Sequence, residues 1–339
     1  MKKLFMLATV AALVCSCSKE EMKVESGKES TLYLSIVPDE GTRASGDGHG
    51  VQADDNAVQT LEVFIFNSNP DNPDDGFLDT YCKFTKEELA SSSKVAIQTT
   101  TGNKKIYVIA NSHRENWKDV NTFAQFETQT AKLTDEKPKN FIMVGSTETV
   151  LSITSEVTMQ IRRLVARVKV GSIKTNFAGG PYDGMSLTDV KAYLINVQGS
   201  KYMHDGEGNN LLVLNKGKYV EADAASCSMP GAIYESLPVP VTDAGYNTPM
   251  YFYCYENSIP RESSVSKYTR MVIEGKLNGV TYYYPVVLKD ITRNTCYSLD
   301  ITIKRPGSTD PGTDMQKGTL QATINVVNWE VEGNGSVEF

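Results

Sequence analysis

Alternating apolar and polar residues dominate the chain, and this period of two is typical of strands with one buried face. The segments are rich in Val, Ile, Tyr, Phe and Thr and are bounded by Gly, Asn, Asp and Pro. The alternation predicts strands at residues 31–37, 60–66, 104–111, 141–146, 156–161, 164–170, 190–197, 250–257, 268–277, 280–288, 297–304 and 320–331. Between two of them, Asn278-Gly279 predicts a two-residue hairpin turn.

Helical periodicity is scarce. Residues 85–93, "TKEELASSS", predict one short helix, with Thr85 as N-cap and Glu88 completing a capping box. Residues 121–130 predict a second. Many short strands with few helices indicate an all-β protein built from β-sandwiches. About a dozen strands are too many for one seven-stranded sandwich, so we expect two domains.

The first 17 residues, "MKKLFMLATVAALVCSC", have the pattern of a secretory signal peptide. Two lysines precede an apolar run that is too short to span a bilayer. The small residue Ser16 before Cys17 fits a lipoprotein box, so we expect Cys17 to become a lipidated N-terminus. A plain cleaved signal with an incidental cysteine is the alternative. Export to a Gram-negative envelope follows from the first interpretation.

Charge argues against some partners. The 339 residues carry 34 basic and 41 acidic side chains, a net charge of −7. Residues 1–43 contain six of each, so the remainder keeps that −7. An acidic protein is a poor partner for nucleic acid or an anionic membrane.

Signals for chemistry are weak. The three histidines, His49, His113 and His204, stand in loop contexts without metal-ligand spacing. There is no GxSxG motif, phosphate-binding glycine loop or CxxC pair, so the sequence predicts neither an enzyme nor a cofactor or metal. Four cysteines follow the signal peptide, and their spacing does not determine any pairing.

Four features together resemble the Bacteroidales fimbrillins, the lipoprotein precursors of type V pili. The lipobox continues as "CSKEE", and the strand "TLYLSIV" is followed by the junction "TRASGDG". The middle of the chain reads "IRRLVARVKV", and the end reads "YSLDITIKRPG" and then "GTLQATINVVNWEV". The resemblance spans the precursor and is nearest to the shaft subunits of the minor-fimbria type.

The resemblance implies two tandem transthyretin-like Greek-key β-sandwich domains, residues 44–163 and 164–339. Residues 18–43 are then a propeptide with a removable strand. The side chains that would fill the pockets of its groove are Leu32, Leu34 and Ile36. An arginine-specific, trypsin-like protease would cut between Arg43 and Ala44, in an exposed glycine-rich loop of the kind that proteases reach. A solvated loop arginine is the alternative interpretation of Arg43.

Assembly would proceed by strand addition, in which a segment of one subunit fills the empty groove of another. The predicted donor is the C-terminal segment 318–339, where apolar residues alternate on both faces of a strand. One face carries Leu320, Ala322, Ile324 and Val326, and the other carries Val327, Trp329 and Val331. The Pro/Gly-rich stretch 305–314 before it predicts a mobile connection.

The expected partners are other copies of the chain, other fimbrial subunits, the protease, the outer membrane through the lipid anchor before cleavage, and a host or bacterial surface ligand. The expected location is the cell surface, with the mature form in fimbriae that support adhesion, biofilm formation and colonisation. Two alternatives come from other classes. One is a permanently anchored tip or accessory adhesin that binds a glycan or host ligand, and the other is a hydrolase with paired carboxylates on a β-scaffold.

Overall fold

The protein is mostly β, with several sheets. The computed structural model describes residues 24–39, 55–204, 212–257, 268–315 and 318–328. Five of the residues predicted from the sequence to have a role lie outside these ranges, namely Cys17, Arg43, Ala44, Trp329 and Val331. Within the described ranges no helix is both long and apolar enough to cross a bilayer.

The first half of the chain contributes eight strands to the described part: β1 (Glu29–Pro38), β2 (Thr60–Asn67), β3 (Leu78–Thr85), β4 (Val95–Thr100), β5 (Gly102–Ala110), β6 (Thr130–Lys132), β7 (Met143–Leu151) and β8 (Thr154–Arg163). Two short helices are α1 (Lys86–Ala90) and α2 (Phe123–Glu127), and a 3-10 turn covers Leu133–Asp135.

The second half contributes β9 (Val165–Thr175), β10 (Thr188–Ile195), β11 (Val197–Gln198), β12 (Ser200–Tyr202), β13 (Val213–Leu214), β14 (Tyr234–Ser236), β15 (Met250–Tyr255), β16 (Arg270–Leu277), β17 (Val280–Val287), β18 (Thr295–Ile303) and β19 (Leu320–Asn328). The one helix described here, α3, covers Glu221–Ser226.

Local signals behave as the sequence predicts. Thr85 caps α1 in a capping box with Glu88, whose carboxylate accepts the Thr85 N–H at 2.7 Å. The same motif, with Thr122 as the cap, begins α2. In the hairpin between β16 and β17, Asn278 and Gly279 have φ of 51° and 79°, the positive values that a tight turn of this kind needs.

Strands β1 to β5, β7 and β8 form one seven-stranded sheet in the order β3-β2-β5-β7-β8-β1-β4. Strands β7 and β8 pair only at Met143↔Arg163 and Val144↔Arg162, and the sheet bends there into two layers that share one core. Gly145 occupies this bend, where an added Cβ would lie 2.2 Å from the carbonyl oxygen of Gln160. Only glycine allows the two backbones to approach so closely.

In the second half, sheets β15-β9-β18-β19 and β14-β10-β16-β17 pack on a common core. The two halves are joined tightly. Strand β6 of the first half pairs with β12 of the second, and the apolar cluster of the second half extends onto β2 and α2 of the first. Two fully buried arginines cross the junction: Arg163 donates to Asn294 Oδ1 at 2.7 Å, and Arg167 forms an ion pair with Asp55.

The prediction of a mobile connection at residues 305–314 is wrong. Tyr283 and Ser308 exchange two backbone hydrogen bonds, of 2.8 and 2.9 Å, which add the segment to the edge of β17. Gly307 packs so closely that a Cβ there would lie 2.4 Å from the Tyr283 carbonyl oxygen. An edge strand leaves backbone groups unpaired, and a glycine-containing segment satisfies them at close range.

Glu136 is a buried acid at the junction of the two halves. Its Oε1 accepts the Tyr255 hydroxyl at 3.0 Å, and its Oε2 accepts the Ile142 N–H at 3.1 Å. Burial raises the pKa of this carboxyl from 4.5 to about 8, although both hydrogen bonds oppose the rise.

Glu136→Gln is therefore expected to flatten the dependence of stability on pH. Because the folded-state pKa exceeds the unfolded one, the native protein loses stability as pH rises from 4.5 through about 8. The loss amounts to as much as ~4 kcal/mol at a fully buried site. Urea unfolding at pH 5 and pH 8.5 measures it. An equal loss in Glu136→Gln and the unmodified protein would contradict this assignment.

Candidate functional site

Strand β1 lies in the interior of the seven-stranded sheet, with a neighbour on each side. It runs antiparallel to β4, from Glu29↔Thr100 to Leu34↔Val95. It runs parallel to β8 over eight residues, beginning at Thr31↔Thr154. The first strand of the chain is thus held by backbone ladders along both edges, although it is joined to the later strands only through residues 40–54.

The side chains of β1 alternate between the core and the surface. Leu32, Leu34 and Ile36 point into the core and are 0%, 1% and 8% exposed. Tyr33 and Val37 face solvent and are 38% and 42% exposed. The inward side chains belong to an apolar cluster that also contains residues of β2, β4, β5, β7 and β8.

Polar contacts hold the two ends of β1. At its start, the Ser30 hydroxyl donates to the Ser152 carbonyl at 2.5 Å, and the Thr31 N–H donates to the Ile153 carbonyl at 2.9 Å. At its end, the Asp39 N–H donates to the Ile161 carbonyl at 2.8 Å, and the Asp39 carboxylate forms an ion pair with Arg162.

Removing β1 would open a groove between β8 and β4. Full burial of an aliphatic side chain contributes about 1.5–3 kcal/mol, so three inward side chains account for roughly 5–9 kcal/mol. That is comparable to the whole unfolding free energy of an ordinary domain, about 5–15 kcal/mol. The first half therefore needs this groove filled.

Strand β4, which forms one side of this groove, also contacts β3. Among the described strands β4 pairs only with β1, but side chains tie it to β3. Asp79 of β3 accepts the Thr100 N–H of β4 at 3.0 Å and contacts buried Lys104 at 2.9 Å. Burial opposes ionisation of Asp79, but hydrogen bonds from Thr99 and Lys104 outweigh it and hold the pKa of that carboxyl below its usual value. These contacts attach β4 to β3 in addition to the ladder that β4 forms with β1.

Strand β19, the predicted donor, is an edge strand that pairs antiparallel with β18 from Ile303↔Leu320 to Thr295↔Asn328. Leu320 and Ala322 pack partly against the core. Ile324 and Val326 on the same face are 38% and 59% exposed. The backbone of Val327 pairs with Cys296, while its side chain lies outside the described part.

Potential metal ligands and thiols are present in the described part of the chain. No three His, Cys, Asp or Glu residues there are arranged to hold a metal ion. The four described cysteines are free thiols, and burial raises the pKa of Cys227 to about 11 and that of Cys254 to about 12. Such thiols are poor nucleophiles at neutral pH.

Sequence reasoning missed both β3 and β4, and with them the Asp79 contacts. Along β3 no residue is fully buried and the aromatic Tyr81 is exposed together with Lys83 and Thr85, which gives a weak apolar pattern. In strand β4 the side chains of Val95, Ile97 and Thr99 are buried and alternate with exposed residues. This short alternation is the sequence pattern from which β4 could have been predicted.

Solved structures share this fold. A candidate cell adhesion protein from Parabacteroides distasonis has a TM-score of 0.68 at 18% identity, covering 90% of this chain and 98% of its own. A candidate cell adhesion protein from Bacteroides eggerthii has a TM-score of 0.65 at 18% sequence identity, and the alignment covers 89% of this chain and 97% of its own. A fimbrilin (fimA) from Porphyromonas gingivalis has a TM-score of 0.61 at 18% sequence identity, and the alignment covers 89% of this chain and 99% of its own. A search of curated proteins finds no match.

The family described as "Major fimbrial subunit protein (FimA)" matches residues 30–208, more than half of the chain. The match begins within β1 and continues through the first sheet to β12. It confirms the resemblance to Bacteroidales fimbrillins that the sequence motifs indicate. This chain therefore belongs to the major fimbrial subunit (FimA) family, whose members are structural subunits rather than enzymes.

Proposed function

We propose that the protein is a polymerising subunit of cell-surface fimbriae that assembles by exchange of β1 for a strand of another subunit. The observation that carries the proposal is the position of β1: an interior strand with three buried side chains, joined to the later strands through one connection that contains Arg43. In this proposal the halves are tandem transthyretin-like sandwiches, residues 44–163 and 164–339.

Maturation then has two separable steps. Lipidation at Cys17 would anchor the precursor in the outer membrane, and cleavage between Arg43 and Ala44 would cut the connection to β1. Cleavage alone does not expel the strand, because both backbone ladders and the inward side chains still hold it. Release must be coupled to arrival of a replacement strand.

Strand β19 has the properties of that replacement. Edge strands with exposed apolar side chains are prone to pair with other chains, and Ile324 and Val326 form such a surface. Together with Leu320 and Ala322 they repeat the two-residue spacing of the inward side chains of β1. The other face predicted from the sequence includes Trp329, whose side chain is far larger than Leu or Ile, and overpacking a buried site is destabilising.

Donor strand and groove are different surfaces, so the contact is heterologous and repeats from subunit to subunit as a filament. Before cleavage, β1 blocks the groove and keeps the precursor from polymerising during export. After exchange, each subunit would be completed by its neighbour.

Arg43→Ala is expected to leave a folded, lipidated monomer that is neither cleaved nor polymerised, because the protease loses its recognition side chain. The measurement is the N-terminal sequence of protein sheared from cells, together with its oligomer ladder after mild heating. Lys28→Ala is the matched control: Lys28 is a basic residue with an exposed side chain just before β1. Its removal should change neither result.

Two outcomes of that experiment contradict the proposal. Filaments of normal length from Arg43→Ala would show that cleavage at this bond is not required. A chain from the unmodified strain that begins at lipidated Cys17 would instead support a permanently anchored tip or accessory adhesin.

Deletion of residues 318–339 is expected to give protein that is cleaved at Arg43 but remains monomeric, since it has a groove and no donor. The readouts are the N-terminal sequence and the oligomer ladder. If the truncated protein still forms a shaft, the donor lies elsewhere.

Two double substitutions test which face of β19 is needed for assembly. Ile324→Ser with Val326→Ser removes the exposed apolar pair and should also prevent assembly. Gln321→Ser with Thr323→Ser changes exposed residues on the opposite face of the same strand and should leave assembly intact. Loss of assembly in both would indicate that the strand is needed for a reason other than filling pockets.

A further inference from the structure

The segment immediately before β19 is docked on its own subunit. It pairs with β17 through Ser308, and Gly307 packs against the Tyr283 backbone. Further along, Met315 packs partly against the core of the second half. Residues 305–315 therefore follow the surface of one sandwich before the chain reaches the strand.

An ion pair with one buried partner secures this segment. Arg270 of β16 is 1% exposed, and its Nη1 lies 2.6 Å from Oδ1 of Asp314. The Asp314 side chain is 56% exposed. The two partners of this ion pair thus differ in burial. Moving Asp314 away would leave a buried guanidinium without this counter-charge, which is far more costly than breaking an exposed ion pair.

Strand β19 is held differently. Its side chains from Thr323 to Val326 are exposed, so its attachment beyond Ala322 rests mainly on the backbone ladder with β18. A ladder at a sheet edge can be exchanged for the same ladder in another subunit. The ion pair between Asp314 and Arg270 is a side-chain contact, so pairing of backbone groups in another subunit does not replace it.

A glycine lies between the docked segment and strand β19. Gly318 has φ of 90°, and no atom lies within 4 Å of the position that a Cβ would take. Glycine at such a position changes backbone direction without a steric penalty.

We propose that Arg270 and Asp314 are positioning residues that keep the segment up to Met315 on its parent subunit, so that only the chain from Gly318 onward crosses to the neighbour. The inference rests on the proposed strand exchange. It also sets a distance: Leu320 follows Asp314 by six residue steps, which at ~3.3 Å per extended residue span at most about 20 Å. The neighbour's groove must open within that reach of Asp314.

Two engineered disulfides separate this inference from the exchange itself. The first, Ser308→Cys with Tyr283→Cys, locks the docked segment to β17. The second, Gln321→Cys with Thr302→Cys, locks β19 to β18. Both join directly opposite residues of antiparallel pairs, a separation that suits a disulfide. Full-length protein extracted in detergent is oxidised or reduced and then cleaved with an arginine-specific protease. The oligomer ladder is then measured, with unmodified protein under the same oxidant as control.

We expect the oxidised Ser308/Tyr283 lock to polymerise as well as its reduced form, and the oxidised Gln321/Thr302 lock to remain monomeric until reduced. If both locks block assembly, the segment has to undock and the inference is overturned, while strand exchange stands. If neither lock blocks assembly, β19 is not the donor and the proposed function fails.

A substitution tests the ion pair directly. Asp314→Ala, at a half-exposed position, should slow polymerisation about tenfold because the donor strand is no longer pre-positioned. Adding the Ser308/Tyr283 disulfide should restore the rate on oxidation, since it replaces the lost tether. A purely structural role for Asp314 predicts a slow rate that oxidation does not restore, and that result would overturn the assignment.

Discussion

Backbone hydrogen bonding on both edges of β1 is the constraint on which the rest of the structure depends. A strand between two neighbours cannot leave without exposing donors and acceptors on both, and here it also exposes the core beneath Leu32, Leu34 and Ile36. Under the proposed strand exchange, the segment that completes the fold is also the one whose loss would make the subunit need another strand. The stability of the monomer and the drive to assemble would then come from one set of contacts.

Other contacts of the first half hold the two strands that flank β1. The bend at Gly145 brings two layers over one core, and the Asp79 contacts attach β4 to β3 independently of β1. The buried pair of Arg167 and Asp55 anchors the start of the chain that follows the connection.

Much of this follows from the sequence, because the inward positions of β1, the Asn278-Gly279 hairpin and both capped helices are encoded in local patterns. The position of β1 between β8 and β4 is not, since pairing partners are far apart in the chain and β4 itself has only a short alternation. The docked course of residues 305–314 was also beyond sequence reasoning. Their composition is that of a linker, and only the tertiary fold supplies the edge of β17 and the buried Arg270 that hold them.

The junction between the halves has a mechanical consequence. The two halves are connected by Arg163, by the buried pair of Arg167 with Asp55, by the β6–β12 ladder and by an apolar cluster that extends across the junction. In the proposed filament, these contacts would resist bending between the two halves, and bending would be concentrated between subunits. A fibre built this way would bend in steps set by the length of one subunit. Pulling on the fibre would apply force parallel to the exchanged strands. In that direction many hydrogen bonds of a strand ladder must break together.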